Sequence, residues 1–270
     1  MAFRITVLKD IIAIVREVAQ QEVMPRYMRV ARQVKADGSS FTEADIAAQK
    51  VLLQALQTIR PGAVMGEEMS QEAQEVQWLK GINGEAEGLW SVDPIDGTSN
   101  FLNGLPYFAI SVAWMVQGKS ELGVIYNPVT DEMFYAEKGC GAFLNNKPLP
   151  IKRNASVLSS AIANVDLKRL HKKLAIEVAA NPPYASQRNY GACALEWCYT
   201  AAGFFDLYLH GGQKPWDYAA GSLILEEAGG HMSGFEYDDY WAGSPWRRSV
   251  IAALDAALFE QWRDWVREHK

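Results

Sequence analysis

The chain is poor in cysteine, in histidine and in long apolar runs. Its three cysteines, Cys140, Cys193 and Cys198, make no CxxC pair. A sparse, odd count in 270 residues gives neither a disulfide framework nor a cysteine zinc site, and fits a reducing compartment. The histidines His171, His231 and His269 lack ligand spacing. The longest apolar stretch, Tyr107 to Val116, contains Ser111 and is too short to span a bilayer. The apolar run Ile11 to Val15 meets Arg16-Glu17 at once, so it does not read as a signal peptide. The expectation is a cytoplasmic protein without a membrane partner. Basic charge is scarce too: the net charge of −6 argues against a nucleic-acid partner, although a small anionic substrate met through metal ions stays open. No repeat or low-complexity segment appears. With 49% apolar residues, a chain of this length buries roughly 75% of its unfolded surface and needs no covalent staples.

The periodicities predict two unlike halves, residues 1–150 of α+β type and 151–270 of α/β type. Helical spacing covers 5–33 and 42–58, the second opened by a capping box, Thr42-Glu43-Ala44-Asp45. Ala63-Val64-Met65 reads as a strand ending at Gly66-Glu67-Glu68. Residues 70–87, polar and aperiodic, read as an exposed excursion, and 35–40 as a polar loop. An antiparallel meander follows at 108–116, 122–126 and 133–136, punctuated by Gly and Asn-Pro turns. Beyond 150, strands at 161–165, 186–189, 206–209 and 249–253 alternate with helices at 167–179, 192–202, 216–228 and 256–268. Residues 231–248, with Trp241 and Trp246, read as an aromatic loop at a pocket rim or an oligomer contact.

The chemistry concentrates between Trp90 and Phe101. The apolar run Gly88 to Val92 leads into Asp93-Pro94-Ile95-Asp96-Gly97-Thr98, where Pro94 removes a backbone donor and the strand is expected to stop. Two carboxylates and a hydroxyl then stand at a strand end, beside free amides where a helix begins. Glu67 closes another strand, and Asp217 opens a helix in Lys214-Pro215-Trp216-Asp217-Tyr218-Ala219-Ala220-Gly221. If these four acids converge they repel: two unit charges about 4 Å apart cost about 4 kcal/mol at an effective dielectric of 20. Divalent cations relieve that, and oxygen ligands without His or Cys favour Mg²⁺, Mn²⁺ or Ca²⁺. Two such ions activate water against a phosphorus centre. Thr98 and Asp45 are the pair placed to orient that water, and the amides of Gly97 and Thr98 are placed to hold the phosphate. Taken singly, each acid has a plainer reading: Asp96-Gly97 as a turn, Asp45 as a capping partner, Asp217 as a helix-start acid, Glu67-Glu68 as a solvated pair.

Gly66-Glu67-Glu68, Asp93 through Phe101, and Trp216 through Gly221 with Glu227-Ala228-Gly229-Gly230, in this order and spacing, resemble the inositol monophosphatase family. The resemblance extends through Gly123 to Pro128 and Gly139 to Phe143. It implies a layered αβαβα sandwich of the sugar phosphatase type, often a homodimer, and a Mg²⁺-dependent, lithium-sensitive hydrolysis of inositol monophosphate or a similar small polyol phosphate. It implies one Mg²⁺ on Glu67, Asp93 and the Ile95 carbonyl, a second on Asp93, Asp96 and Asp217, and a third, weaker one near Glu67. Thr98 and Asp45 become the water-activating pair, and Lys35 a basic group toward substrate or water. Fructose-1,6-bisphosphatase, 3′(2′),5′-bisphosphate nucleotidase and histidinol-phosphate phosphatase activities are rivals, and a macromolecule-binding regulatory protein on the same scaffold is the rival from another class. Substrate contacts depart from the pattern. Where inositol-phosphate enzymes carry a glutamate seven residues before the last metal aspartate, His210 stands here, read as a strand-end residue or an altered polyol contact. Cys193 lies in the 191–196 segment on the substrate side and reads as packing.

Overall fold

The computed structural model describes residues 2–35, 40–152 and 157–270, with side chains from residue 7 onward. Residues 36–39 of the expected polar loop lie outside the described residues. The chain begins with α1 (Ala2–Val18), short strands β1 (Gln33–Val34) and β2 (Ser40–Phe41), and α2 (Glu43–Ile59). A first sheet holds β3 (Ala63–Gly66), β4 (Leu89–Asp96), β5 (Ala109–Val116), β6 (Lys119–Asn127), β7 (Glu132–Glu137), β8 (Ala142–Leu144) and β9 (Lys147–Pro148), in that order. Between β3 and β4 lies α3 (Gln71–Ile82), and between β4 and β5 lies α4 (Thr98–Asn103). The second half supplies β10 (Ile162–Val165), α5 (Lys172–Ala180), β11 (Ser186–Arg188), α6 (Cys193–Ala202), β12 (Leu207–Gln213), α7 (Pro215–Glu227), β13 (His231–Ser233), β14 (Arg248–Ala253) and α8 (Ala256–His269). Its strands form a second sheet in the order β11-β10-β12-β14-β13.

Strand alternation sorts the side chains into three cores. Along β5, Ile110, Val112 and Trp114 face α1 and α2, where they meet Ile11, Val15, Leu52 and Leu56. The intervening Ala109, Ala113 and Met115 face α6 and α7, among Trp197, Ala220 and Ile224. On β14, Val250 and Ala252 join that same central core, while Ile251 and Ala253 face α5 and α8 with Leu174, Trp262 and Val266. Helix pairs and sheets therefore stack as αβαβα. The central layer demands close approach: a Cβ on Gly123 of β6 would lie 2.8 Å from the Ala220 carbonyl of α7, so only glycine lets helix and sheet meet there.

Three readings change. The first helix ends early. After α1 the turns widen at Ala19–Val23 and tighten at Met24–Arg26, where Pro25 denies the ladder a donor and residues 27–32 leave it. Residues 70–87 are not an excursion but contain α3, started by the Ser70 hydroxyl accepting from the Ala73 N–H and anchored by buried Trp78 and Gln74. Polar Gln74 occupies an inward position, which hid the helical period. Ser70→Ala is expected to lower unfolding free energy by about 1 kcal/mol, read as a shift in denaturation midpoint at unchanged slope; no shift would show that the cap contributes nothing. The 231–248 stretch contains β13, and Trp241 and Trp246 pack against the central core, while Tyr237 is exposed. Tyr240 is buried, and the Arg248 guanidinium lies 4.8, 5.1 and 5.1 Å from the ring centres of Tyr218, Tyr240 and Trp241.

Candidate active site

Strand β4 does not stop at Asp93. It runs to Asp96 and stays paired with β5, its register shifting between Asp93 and Asp96. The bulge absorbs Pro94, since a bulge is one of the places in a sheet where a missing donor is tolerated. The chain then turns through Gly97, at φ +88°, into α4. A Cβ there would crowd Ala192 at 3.0 Å and the Tyr107 carbonyl at 3.1 Å.

The topology brings the acids together. β3 pairs parallel to β4 with Gly66 opposite Val92, so Glu67, the next residue, emerges beside Asp93. Glu67 lies near enough to Asp93 for its charge to raise the Asp93 carboxyl. Across the strand, Asp93 stands opposite Ser111, whose hydroxyl donates to the Trp216 carbonyl at 3.2 Å and docks the first turn of α7 there. That turn carries Asp217. One oxygen each from Asp93, Asp96 and Asp217 lies within 4.8 Å of the others. Backbone amides hold all three: Ile95 N–H donates to Asp93 Oδ1 at 3.0 Å, Ala194 N–H to Asp96 Oδ2 at 2.7 Å, and Lys214 N–H to Asp217 Oδ2 at 2.8 Å.

The cluster is electrostatically unrelieved. Burial, then Glu67, Asp96 and Asp217, push the Asp93 carboxyl well above its usual range. Burial and Asp217 do the same to Asp96. Burial brings Asp217 to about 7, with Glu67 adding to it. Three oxygen donors in a buried, mutually repelling set fit a hard divalent cation. Asp45 completes the picture from α2. Thr42 donates to its Oδ2 twice, from backbone at 2.7 Å and hydroxyl at 2.6 Å, while Oδ1 is buried without a partner. Burial raises it to about 6, against the pull of the Thr42 hydrogen bond.

The remaining expected residues fall around this centre. Thr98 donates its hydroxyl to the Ile95 carbonyl at 3.1 Å, and Asp45 accepts two bonds from Thr42, so each member of the expected water-orienting pair is held by local bonds. Thr98 opens α4, a position whose N–H has no carbonyl to pair with inside the helix, while the Asn100 and Phe101 N–H groups donate to the Gly97 carbonyl at 2.8 and 3.0 Å. Lys35 bridges Glu67 and Glu68, each at 2.7 Å. Burial alone would lower its pKa, but the two glutamates raise it above the ordinary lysine value. Cys193 opens α6, and burial, then Asp217 and Asp96, raise its pKa and keep it a thiol. His210 is not at a strand end. It lies inside β12, buried, and its Nδ1 accepts from the Gly212 N–H at 3.1 Å. Burial drives its pKa down to about 3, so it is a neutral ring.

Sequence reasoning missed the residues that hold these groups in place. Gln49 Oε1 accepts from the Glu68 N–H at 2.8 Å. Gln74, on the missed helix, donates to the Gly66 and Glu67 carbonyls at 3.1 and 3.0 Å. Asn100 donates to the carbonyls of Tyr107 and Tyr190, joining α4 to the segment before α6. Ser111 was visible only as the polar residue inside an apolar run.

The described helices include none long and apolar enough to cross a membrane. The model of the Inositol monophosphatase family matches residues 2–264. An Inositol-1-monophosphatase of Rhizobium meliloti is 37% identical over 203 residues, 73% of each chain. A protein of Vibrio cholerae designated Nus factor SuhB is 35% identical over 205 residues, 74% of each. Among solved structures, an IMPase of Thermotoga maritima superposes with a TM-score of 0.79 at 30% identity, covering 95% of this chain and 94% of that one.

Proposed function

The chain belongs to the inositol monophosphatase family, and we propose that it is a Mg²⁺-dependent phosphomonoesterase for inositol monophosphate or a similar small polyol phosphate. One observation carries the reading: three aspartate oxygens within 4.8 Å of one another. Glu67, Asp93 and the Ile95 carbonyl would hold one ion, and Asp93, Asp96 and Asp217 the second, with a weaker third near Glu67. When bound, such ions supply Lewis acidity toward the phosphate and lower the pKa of a bound water.

The protein's own groups do the rest. Asp45 Oδ1 and the Thr98 hydroxyl oxygen are the acceptors we assign to the attacking water, the first because nothing else bonds it and the second because its own hydrogen goes to the Ile95 carbonyl. The amides at Gly97 and Thr98 take the phosphate oxygens. Lys35 steadies Glu67 and keeps a positive charge at the mouth of the site.

Phosphate release from inositol 1-phosphate should require Mg²⁺, cease on chelation and be inhibited by lithium. Turnover that persists after chelation would remove the metal from the mechanism. Strong activity confined to a nucleoside 3′,5′-bisphosphate or histidinol phosphate would move the substrate to a rival.

The Vibrio relative's designation as a Nus factor supports a second reading, a macromolecule-binding regulator on the same scaffold. The readings separate in cells. A phenotype of deletion that a metal-ligand variant rescues belongs to the regulator, and one that it fails to rescue belongs to the phosphatase.

A further inference from the structure

Strands β10 and β12 run parallel, with Asn164 opposite Tyr208 and Val165 opposite Leu209, and the Asp166 N–H donates to the Leu209 carbonyl at 3.1 Å. Alternation then sorts the side chains. Ala163, Val165, Leu207 and Leu209 enter the core against α5 and α8, so Asn164, Asp166, Tyr208 and His210 take the opposite face, toward α6 and α7. That face leads to the starts of these two helices, where Cys193 and Asp217 stand. The carboxyl ends of parallel strands are where open α/β sheets bind ligands.

Two acids lie between this face and α6. Glu196 is 1% exposed, whereas the Asp166 side chain is 17% exposed, so solvent and substrate reach Asp166 alone. Asp166 acts on the charge of Glu196, and Glu196 on that of Asp96, so the wall continues from the carboxylate centre to Asp166. The Arg169 N–H donates to the Asp166 carbonyl at 3.1 Å, and the Arg169 charge acts on both Asp217 and His210. Asp166 uses one oxygen internally: Oδ1 accepts the Lys168 N–H at 3.0 Å. Oδ2 stands 3.6 Å from His210 Nε2, too far for a hydrogen bond. Among the described residues, none donates to Oδ2. His210 Nδ1 accepts from the Gly212 N–H, so the hydrogen of this neutral ring is on Nε2, and the ring offers Asp166 no counter-charge.

Resting on the phosphatase reading above, we propose that Asp166 is a specificity-determining residue of this chain, its Oδ2 accepting a hydrogen bond from a hydroxyl of the alcohol that the phosphate esterifies. The phosphate sits at the carboxylate centre, and the alcohol reaches along the wall to Oδ2. His210, on the neighbouring strand, is buried and lies behind this contact rather than making it. A hydroxyl that donates to a carboxylate makes a stronger bond than one that donates to a neutral acceptor. A ring lacking that hydroxyl would cover Oδ2 and leave it unpaired. An ammonium suits the corner less well. It would meet the charge of Arg169, and it has no lone pair to offer the His210 N–H.

The test compares two saturated rings that differ in their hydroxyls: kcat/KM for inositol 1-phosphate over that for cyclohexyl phosphate, measured on the Mg²⁺-loaded enzyme. The wild-type ratio should exceed one. Asp166→Asn keeps the shape, and its amide oxygen can still accept the Lys168 N–H, but it turns a donor toward the substrate. It should lower the ratio about tenfold, mainly through KM, because a contact remote from the reacting bond is made alike in the ground and transition states. Asp166→Ala, which also loses the Lys168 bond, should lower it at least as far. A merely structural role would lower kcat/KM for both compounds alike and leave the ratio where it was. A wild-type ratio at or below one, or a ratio unmoved in Asp166→Asn, overturns the assignment while leaving the phosphatase reading intact. A preference for histidinol phosphate over inositol 1-phosphate that Asp166→Asn abolishes would also overturn it, giving Oδ2 to an ammonium. If none of these compounds releases phosphate, the phosphatase reading falls and the assignment with it.

Discussion

Asp96→Asn is expected to lower kcat/KM for phosphate release by about 10³-fold or more, while leaving the fold as stable as before or more so. Asp96 is buried, and its Oδ2 accepts the Ala194 N–H at 2.7 Å. Asparagine has the same shape, and its amide oxygen can accept that same bond. What disappears is one negative charge among three oxygens within 4.8 Å. Lewis-acid stabilisation of phosphoryl transfer is worth several kcal/mol, and each 1.4 kcal/mol is about tenfold, which sets the scale. The charge lost is also one that burial and Asp217 disfavour. Metal-free Asp96→Asn should therefore unfold at the same temperature as wild type or above it near neutral pH. Opposite signs on activity and stability separate this from misfolding, which lowers both. Activity within tenfold of wild type at an unchanged Mg²⁺ requirement would remove Asp96 from the centre.

The acids of this centre were legible because each stands where the backbone changes element, and such positions are marked locally by Gly, Pro and capping residues. Asp93 through Thr98 carried its own punctuation, and Asp45 was visible through the capping box with Thr42. The strand Ala109–Val116 was legible as a long apolar run, while the layering came only from the resemblance, because that run is buried on both faces and does not alternate. What stayed hidden depends on partners distant in sequence. The continuation of β4 past Pro94 could not be seen, because a bulge needs the β5 partner to define it. Helix α3 was missed because Gln74 is buried for its bonds to the Gly66 and Glu67 carbonyls, so its inward face does not look apolar. Ser111 reads as an interruption of a strand until its register with Asp93 and its bond to Trp216 are known. His210 illustrates the same limit. Its neighbours in sequence suggested a strand end, whereas the strand runs on to Gln213 and buries it.

Without metal, the protein should lose stability as pH rises from about 4 to about 7, and Mg²⁺ should restore more of it at pH 8 than at pH 5. Folding raises the pKa of Asp45 to about 6, of Glu68 to about 7 and of Asp217 to about 7, and lifts Asp93 and Asp96 as well. In each case burial is the largest cause. Between the unfolded and folded values the native state holds protons that the unfolded chain has released. The slope of stability with pH is then negative: these groups stabilise fully below about 4, and that contribution fades as pH climbs through the folded values. His210 works the other way. Its pKa falls to about 3, so its contribution is present above the unfolded value and lost as pH falls. One histidine stands against five carboxylates, and each tenfold change in proton affinity is worth about 1.4 kcal/mol, so the carboxylates dominate. The net loss is on the order of several kcal/mol, which for a chain of this size is roughly 5–15 °C in Tm. A divalent cation removes the penalty by replacing those protons, and because binding displaces them its stabilisation must grow with pH. Thermal unfolding of chelated and Mg²⁺-saturated protein at pH 5, 6, 7 and 8 reads both curves. A chelated Tm that rises across this range, or a Mg²⁺-induced rise in Tm equal at pH 5 and pH 8, would mean that these carboxylates are not the residues the ion neutralises.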